Sequence, residues 1–181
     1  MRRLSFFLAV TILVFGFESM AESIVLPAKP AVSPDGKTLV FRYDGDLWTC
    51  PISGGAAVRL TAHAATESDP CFSPNGNEIA FVSDRSGSSQ IHIMNLADRS
   101  IRQVAYHTEG YELHGWSPDA QHFIATGQRD HHFRVPSRIV RVNSQKRSPE
   151  EILFDAHGYE PAISPDGNKL LFVREGERWW R

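Results

Sequence analysis

The residues best suited to chemistry in this 181-residue sequence are its eight histidines and the acidic residues that accompany them. His63, His107 and His157 occur at a similar phase of a recurring pattern, and carboxylates lie close by: Glu67 and Asp69, then Glu109 and Glu112, then Glu160. Three histidines at one phase suggest a shared metal, since imidazole is a common zinc ligand. Geometry opposes it: corresponding loops on packed sheets start about 10 Å apart, whereas a Zn–N bond is about 2 Å. His131 and His132 are adjacent, and neighbours on a strand point to opposite faces. No metal and no cofactor is therefore expected. Nor does the chain contain a G-x-S-x-G nucleophile elbow, an H-E-x-x-H helix or a phosphate-binding glycine loop. No catalytic residue is expected, and the chemistry left to these groups is binding.

The elements that must position them derive from a repeated turn. Ser33-Pro34-Asp35-Gly36, Ser73-Pro74-Asn75-Gly76, Ser117-Pro118-Asp119-Ala120 and Ser164-Pro165-Asp166-Gly167 share one design. Proline pre-sets φ, Asp or Asn accepts the next place, and glycine takes positive φ. Each turn precedes a strand-like run: 38–43, 78–83, 122–126 and 169–174. The spacing of the turns lies near the roughly 40–50 residue period of four-stranded propeller blades. The expected fold is an all-β propeller of antiparallel four-stranded blades, incomplete at about three and a half. The blades fall at about 24–62, 63–107, 108–156 and 157–181, the last cut short. In such an arc the segments joining one blade's outer strand to the next blade's inner strand emerge at one mouth of the channel. His63, Glu67, Asp69, His107, Glu109, Glu112, His157 and Glu160 fall in these segments. They predict a mixed, mostly acidic mouth that attracts peptide amino ends and repels acidic peptides; capping of loops is the alternative for any one of them. Ala120 replaces the turn glycine, so its turn is expected to be strained or differently shaped. Trp48, Trp116, Phe41, Phe81 and Phe172 are expected in the core, the three phenylalanines at one strand position, with Phe123 one residue earlier in its copy.

Arg2-Arg3, an apolar run over 4–17 and Ser19-Met20-Ala21 have the form of a secretory signal peptide, residues 1–21. The run is shorter than the about 20 residues of a membrane span. Residues 22–181 carry 17 basic and 20 acidic side chains, which disfavours nucleic acid as a partner. Residues 129–147 are locally basic, either a solvated outer strand or a surface that holds carboxylates. Cys50 and Cys71 are either small buried residues or, after export, a bonded pair. Asp84-Arg85 is either an ion pair within a blade or a feature of the rim.

Gly45-Asp46-Leu47-Trp48, Gly54-Gly55, Arg59-Leu60-Thr61 with His63, Ser83-Asp84-Arg85, Gly115-Trp116-Ser117-Pro118-Asp119 and 173–181 together resemble the N-terminal propeller of tricorn-protease-like secreted serine peptidases. That resemblance implies a periplasmic or extracellular protein whose propeller filters or channels peptides for a peptidase module absent from this chain. It implies peptides or proteins as partners, no membrane contact after signal cleavage, and possible oligomerisation. The turns alone also resemble TolB-like propellers, which implies a protein–protein interaction module. Prolyl-oligopeptidase-like enzymes carry propellers too, but beside a hydrolase domain with a nucleophile elbow.

Overall fold

A computed structural model describes residues 27–128 and 137–174, and the leader-like segment and His131-His132 lie outside them. The described chain is a series of antiparallel sheets, each a simple meander. Sheet one contains β1 (Ala28–Val32), β2 (Thr38–Tyr43), β3 (Asp46–Pro51) and β4 (Val58–Arg59). Sheet two contains β5 (Glu67–Phe72), β6 (Glu78–Ser83), β7 (Gln90–Asn95) and β8 (Ile101–Gln103). Sheet three contains β9 (Glu112–Trp116), β10 (His122–Gln128), β11 (Ser137–Asn143) and β12 (Glu151–Phe154). Sheet four pairs β13 (Gly158–Ile163) with β14 (Leu170–Arg174). The first strands β1, β5, β9 and β13 contact one another in succession, so they form the inner wall of the arc. This is a propeller of four-stranded blades, incomplete in the described chain. Among the described residues no helix is long and apolar enough to cross a membrane.

The repeated turn folds by itself, which explains why it marks every blade. Ser33 Oγ donates to Asp35 Oδ1 at 2.6 Å and accepts the Thr38 N–H at 2.9 Å. Asp35 Oδ1 also accepts the Lys37 N–H, and the Ser33 carbonyl accepts the Gly36 N–H. The same bonds recur around Ser73, Ser117 and Ser164. Ala120 does not alter the shape of its turn. It takes φ 58°, beside 71° at Gly36, 73° at Gly76 and 75° at Gly167. An L-residue in this region costs about 1–2 kcal/mol, more than the about 0.5–1 kcal/mol of added chain entropy a glycine brings. Ala120→Gly is therefore expected to stabilise the fold by about 0.5 kcal/mol and to raise the Tm by about 2 °C, read by thermal unfolding.

Packing is between blades. Val40 and Leu47 of sheet one meet Ile79, Phe81 and Met94 of sheet two. The opposite face of sheet two, with Ala80, Val82, Ile91 and Ile93, meets Trp116, Phe123, Ala125, Val140 and Val142 of sheet three. β6 and β7 are thus buried on both faces, which is why β6 carries a continuous apolar run over 79–82, while β7 buries His92 among its apolar residues. Phe41, Phe81, Phe123 and Trp116 are buried, whereas Trp48 and Phe172 are half-buried. Phe123 stands two residues, not one, before the place of Phe81. It pairs with Trp116 as Ile79 pairs with Phe72, and Ala125 occupies the Phe81 place. Since side chains alternate with period two, the shift keeps the ring on the same face of β10. Its centroid lies 4.4 Å from that of Trp116.

Candidate binding site at the inner wall

Every inner strand carries a one-residue β-bulge at the same place. Register slips between Ala28 and Ala31 in β1, Ser68 and Cys71 in β5, Leu113 and Gly115 in β9, and Tyr159 and Ala162 in β13. In three strands the bulge is a charged residue followed by proline: Lys29-Pro30, Asp69-Pro70 and Glu160-Pro161. Proline has no N–H to lose from a ladder, so a bulge accommodates it. The residue before it has φ 52° at Lys29, 51° at Asp69 and 48° at Glu160, a strained conformation for L-residues. In β9 the extra residue is His114, and Gly115 supplies the positive φ of 151°. A bulge re-aims side chains, and here it gathers charges from successive blades along one wall.

Lys29 Nζ lies 3.1 Å from Asp69 Oδ1, bridging blades one and two. The hydrogen bond and charge of Asp69 raise the Lys29 pKa, and the charges of Glu112 and Glu160 raise it further. Thr126, buried on β10, donates to Glu112 Oε2 at 3.4 Å and stands 2.9 Å from His114 Nε2. A cavity of about 560 Å³ opens beside this group, lined by Glu112, His114, Tyr159, Glu160, Val173 and Arg174. The Arg174 guanidinium sits over the Phe154 ring, 5.8 Å from its centroid.

Of the eight residues expected at the mouth, Asp69, Glu112 and Glu160 are the three gathered here. Glu67 lies on β5, fully buried, with Oε1 bound by Arg85 Nη2, so it does not line a mouth. The reason is alternation: Glu67 and Asp69 are two apart, but the bulge at Asp69 separates their directions. His63 Nδ1 accepts the Ala65 N–H at 3.0 Å and His107 Nδ1 accepts the Glu109 N–H at 3.3 Å, so both cap their loops. Glu109 is exposed. His157 Nδ1 is 3.3 Å from the Tyr159 hydroxyl, at the edge of the cavity. Lys29, His114, Tyr159 and Arg174 were not anticipated. The signal that finds Lys29 is the recurrence of a charged residue and proline four residues before the turn serine.

Asp84 and Arg85 do not pair with each other. Arg85 pairs with Glu67 inside blade two, while Asp84 Oδ1 accepts the Thr66 N–H at 2.8 Å. Cys50 and Cys71 are free thiols, and burial, with the charge of Asp69, pushes Cys71 up to about 12. In the basic segment Arg138 pairs with Asp155 at 2.5 Å, Arg141 pairs with Glu151, and Arg147 covers the Tyr106 ring. These cations are engaged locally, and Arg138 and Arg141 lie on β11, an interior strand of its blade rather than the outer one. Among the described residues no group of three or more His, Cys, Asp or Glu is placed to hold a metal.

Burial lowers the pKa of His114, although Glu112 and Asp69 pull it upward, and burial likewise lowers His92, whose Nδ1 lies 3.0 Å from the Gln90 carbonyl. A histidine depressed in the folded state binds protons more readily when unfolded. Its contribution is complete above the ordinary value of 6.5 and is lost as pH falls through the lower folded value. Asp35 and Asp166, held down by hydrogen bonds from Ser33 and Ser164, act only below 3.8. The Tm is therefore expected to fall as the pH is lowered from 6.5 to about 4.5, and a His92→Gln/His114→Gln variant is expected to show a flatter profile over that window in calorimetry.

The family model described as the tricorn protease N-terminal beta propeller domain matches residues 25–181. The chain is 30% identical over 158 residues to the Tol-Pal system protein TolB of Francisella tularensis subsp. holarctica (strain OSU18), covering 83% of this chain and 36% of the relative. It is 26% identical over 103 residues to tricorn protease homolog 1 of Streptomyces coelicolor, covering 54% of this chain and 10% of that protein. The chain thus spans about a third or less of these two relatives. The crystal structure of TolB from Acinetobacter baumannii superposes with a TM-score of 0.70 at 23% identity, over 83% of this chain and 38% of that one, and shows the fold. Propeller architecture, repeated turns and the match over 25–181 lead to one assignment: this chain belongs to the family of tricorn protease N-terminal beta propeller domains.

Proposed function

We propose that this propeller segment binds or gates peptides for a serine peptidase module that lies outside the chain, and that it contributes no catalytic residue itself. The observation that carries this reading is the gathering of Asp69, Glu112 and Glu160 along one inner wall beside a cavity of about 560 Å³. That volume is within the range of about 300–1,000 Å³ typical of ligand pockets. Fixed carboxylates favour cationic peptide groups over acidic ones through the field they create. The leader-like residues 1–21 support export to the periplasm or beyond, where the segment would meet extracytoplasmic peptides. A TolB-like role in binding a folded protein is the second reading, favoured by the 30% identity to the Francisella protein over 158 residues.

Titrating the purified chain with short unstructured peptides, and then analysing the mixture by mass spectrometry, tests the first reading. Saturable binding that weakens with salt, with the peptides left intact, is the expected result. Binding confined to a folded partner protein favours the second reading. Peptide cleavage by the chain alone overturns the non-catalytic assignment.

A further inference from the structure

Sheets two and three are packed on both faces, whereas sheets one and four each present one face that no other described sheet covers. On sheet one Val32 is 49% and Ile52 is 54% exposed, and on sheet four Leu171 is 77% and Val173 is 56% exposed. These faces repeat the two sides of a contact the chain already makes. Where sheets one and two meet, sheet two presents Phe72, Ile79, Met94 and Leu96. Phe72 and Met94 flank Ile79 in register, and the Leu96 N–H bonds the Asn77 carbonyl. Sheet one repeats that set on its uncovered face: Val32 and Cys50 flank Leu39, and the Ile52 N–H bonds the Lys37 carbonyl. Trp48, in the register place of His92, adds an indole Nε1–H with no hydrogen-bond partner among the described residues. The other side of the existing contact is built on Ala31 paired with Val40, which is fully buried. Sheet four repeats that pair as Ala162 and Leu171.

We propose that both uncovered faces are filled by a second copy of this chain, the sheet-four face of each copy packing on the sheet-one face of the other so that two arcs close into one ring. Each contact continues the interface that joins sheets one and two, with Leu171 in the role of Val40, set against Val32, Leu39 and Ile52 of the other copy. The two faces differ, so the contact is heterologous, and such a contact either closes into a ring or runs on as a filament. Two copies of the four sheets give eight, within the four to eight blades of typical closed propellers. Both faces are exposed in the same chain, so they do not cover each other and each copy offers what the other lacks.

Sedimentation of the purified chain over a range of concentrations tests the proposal. A monomer–dimer equilibrium without larger species is expected. Leu171→Asp/Val173→Asp alters the sheet-four face and Val32→Asp/Ile52→Asp the sheet-one face, with thermal unfolding as the check that each is folded. Leu171→Lys and Ile52→Lys, single changes at the most exposed of these positions on each face, form a second pair. Each variant alone is expected to associate at least about a hundredfold more weakly than the native chain. An equimolar mixture of one sheet-four variant and one sheet-one variant is expected to dimerise again, because one matched pair of faces survives between them. A native chain that stays monomeric at its highest soluble concentration overturns the proposal, as does association that persists unchanged in both variants. Loss of the dimer in only one of the two shows a face paired with itself and overturns the head-to-tail contact. Open-ended growth of the native chain overturns closure.

Discussion

Arg85→Ala is expected to destabilise the chain by about 3–5 kcal/mol, the usual consequence of removing one partner from a buried ion pair. Glu67 is fully buried on β5, and Arg85 is its cation. Ser83 Oγ accepts the Arg85 Nε–H at 3.1 Å and fixes the direction of the guanidinium. The second carboxylate oxygen, Oε2, has no hydrogen-bond partner among the described residues, so the charge has no reserve there when Arg85 is removed. The loss propagates: the Glu67 backbone N–H bonds the Gly45 carbonyl of sheet one, and Asp69 stands two residues further along β5. Urea unfolding monitored by tryptophan fluorescence reads the effect. A loss under about 1 kcal/mol would show that the Glu67–Arg85 pair behaves as a hydrated, surface-like pair. Arg85→Leu combined with Glu67→Leu is expected to recover most of the stability, since an apolar pair removes the stranded charge.

Phe81→Ala is expected to cost about 3–5 kcal/mol, as truncation of a fully buried phenylalanine does elsewhere. The same substitution at Phe172 is expected to cost under about 1.5 kcal/mol, since a half-buried ring loses less apolar contact. The two residues hold the same place in their repeats, eight after the turn serine. Phe81 is closed in between sheets one and two and stacks on His92, with ring centroids 5.7 Å apart. Phe172 is half-buried on a two-stranded sheet whose Leu171 and Val173 are exposed, and among the described residues its one aromatic contact is the Phe154 ring, 4.5 Å away. Parallel urea titrations separate the two sites, and equal losses would contradict packing between blades as the source of stability. The Arg85 guanidinium lies 5.5 Å from the Phe81 ring centroid. Removing both side chains is therefore expected to give a non-additive loss.

The propeller was legible because its marker is local. Each Ser-Pro-Asp-Gly turn closes through bonds spanning five residues or fewer, so composition alone specifies it. Blade cores were legible for a related reason, since a strand buried on both faces tends to be continuously apolar, as over 79–82 in β6, although β7 is equally buried with His92 in its middle. The binding wall was legible only in part. Topology put Asp69, Glu112, Glu160 and Glu67 in one set of linking segments, whereas the structure has Glu112 and Glu160 beside the cavity, Asp69 on Lys29 and Glu67 facing Arg85. A bulge is a property of pairing between strands, and Ala28, Ser68, Leu113 and Tyr159 show no sign of it before their partners are known. The histidines recur at one phase with a recurring loop cap, seen at His63 and His107 and already open in the sequence as the alternative to a place at the mouth. Phe123 is a different case, since counting from its turn serine already places it six residues on, two before the place of Phe81, and the pairing with Trp116 agrees.

The bulges on β1, β5, β9 and β13 separate two kinds of change that most folds couple. A side chain at such a position has left the alternation that feeds the core: Lys29 and Glu160 are exposed and Asp69 is half-buried. Each blade thus contributes one polar side chain whose identity the hydrophobic layers do not dictate. The inner wall behaves as a short line of coupled settings, here lysine, aspartate, histidine and glutamate, since Lys29 and Asp69 are paired across blades. A new order of charges needs paired substitutions at fixed addresses, with the blades themselves left as they are.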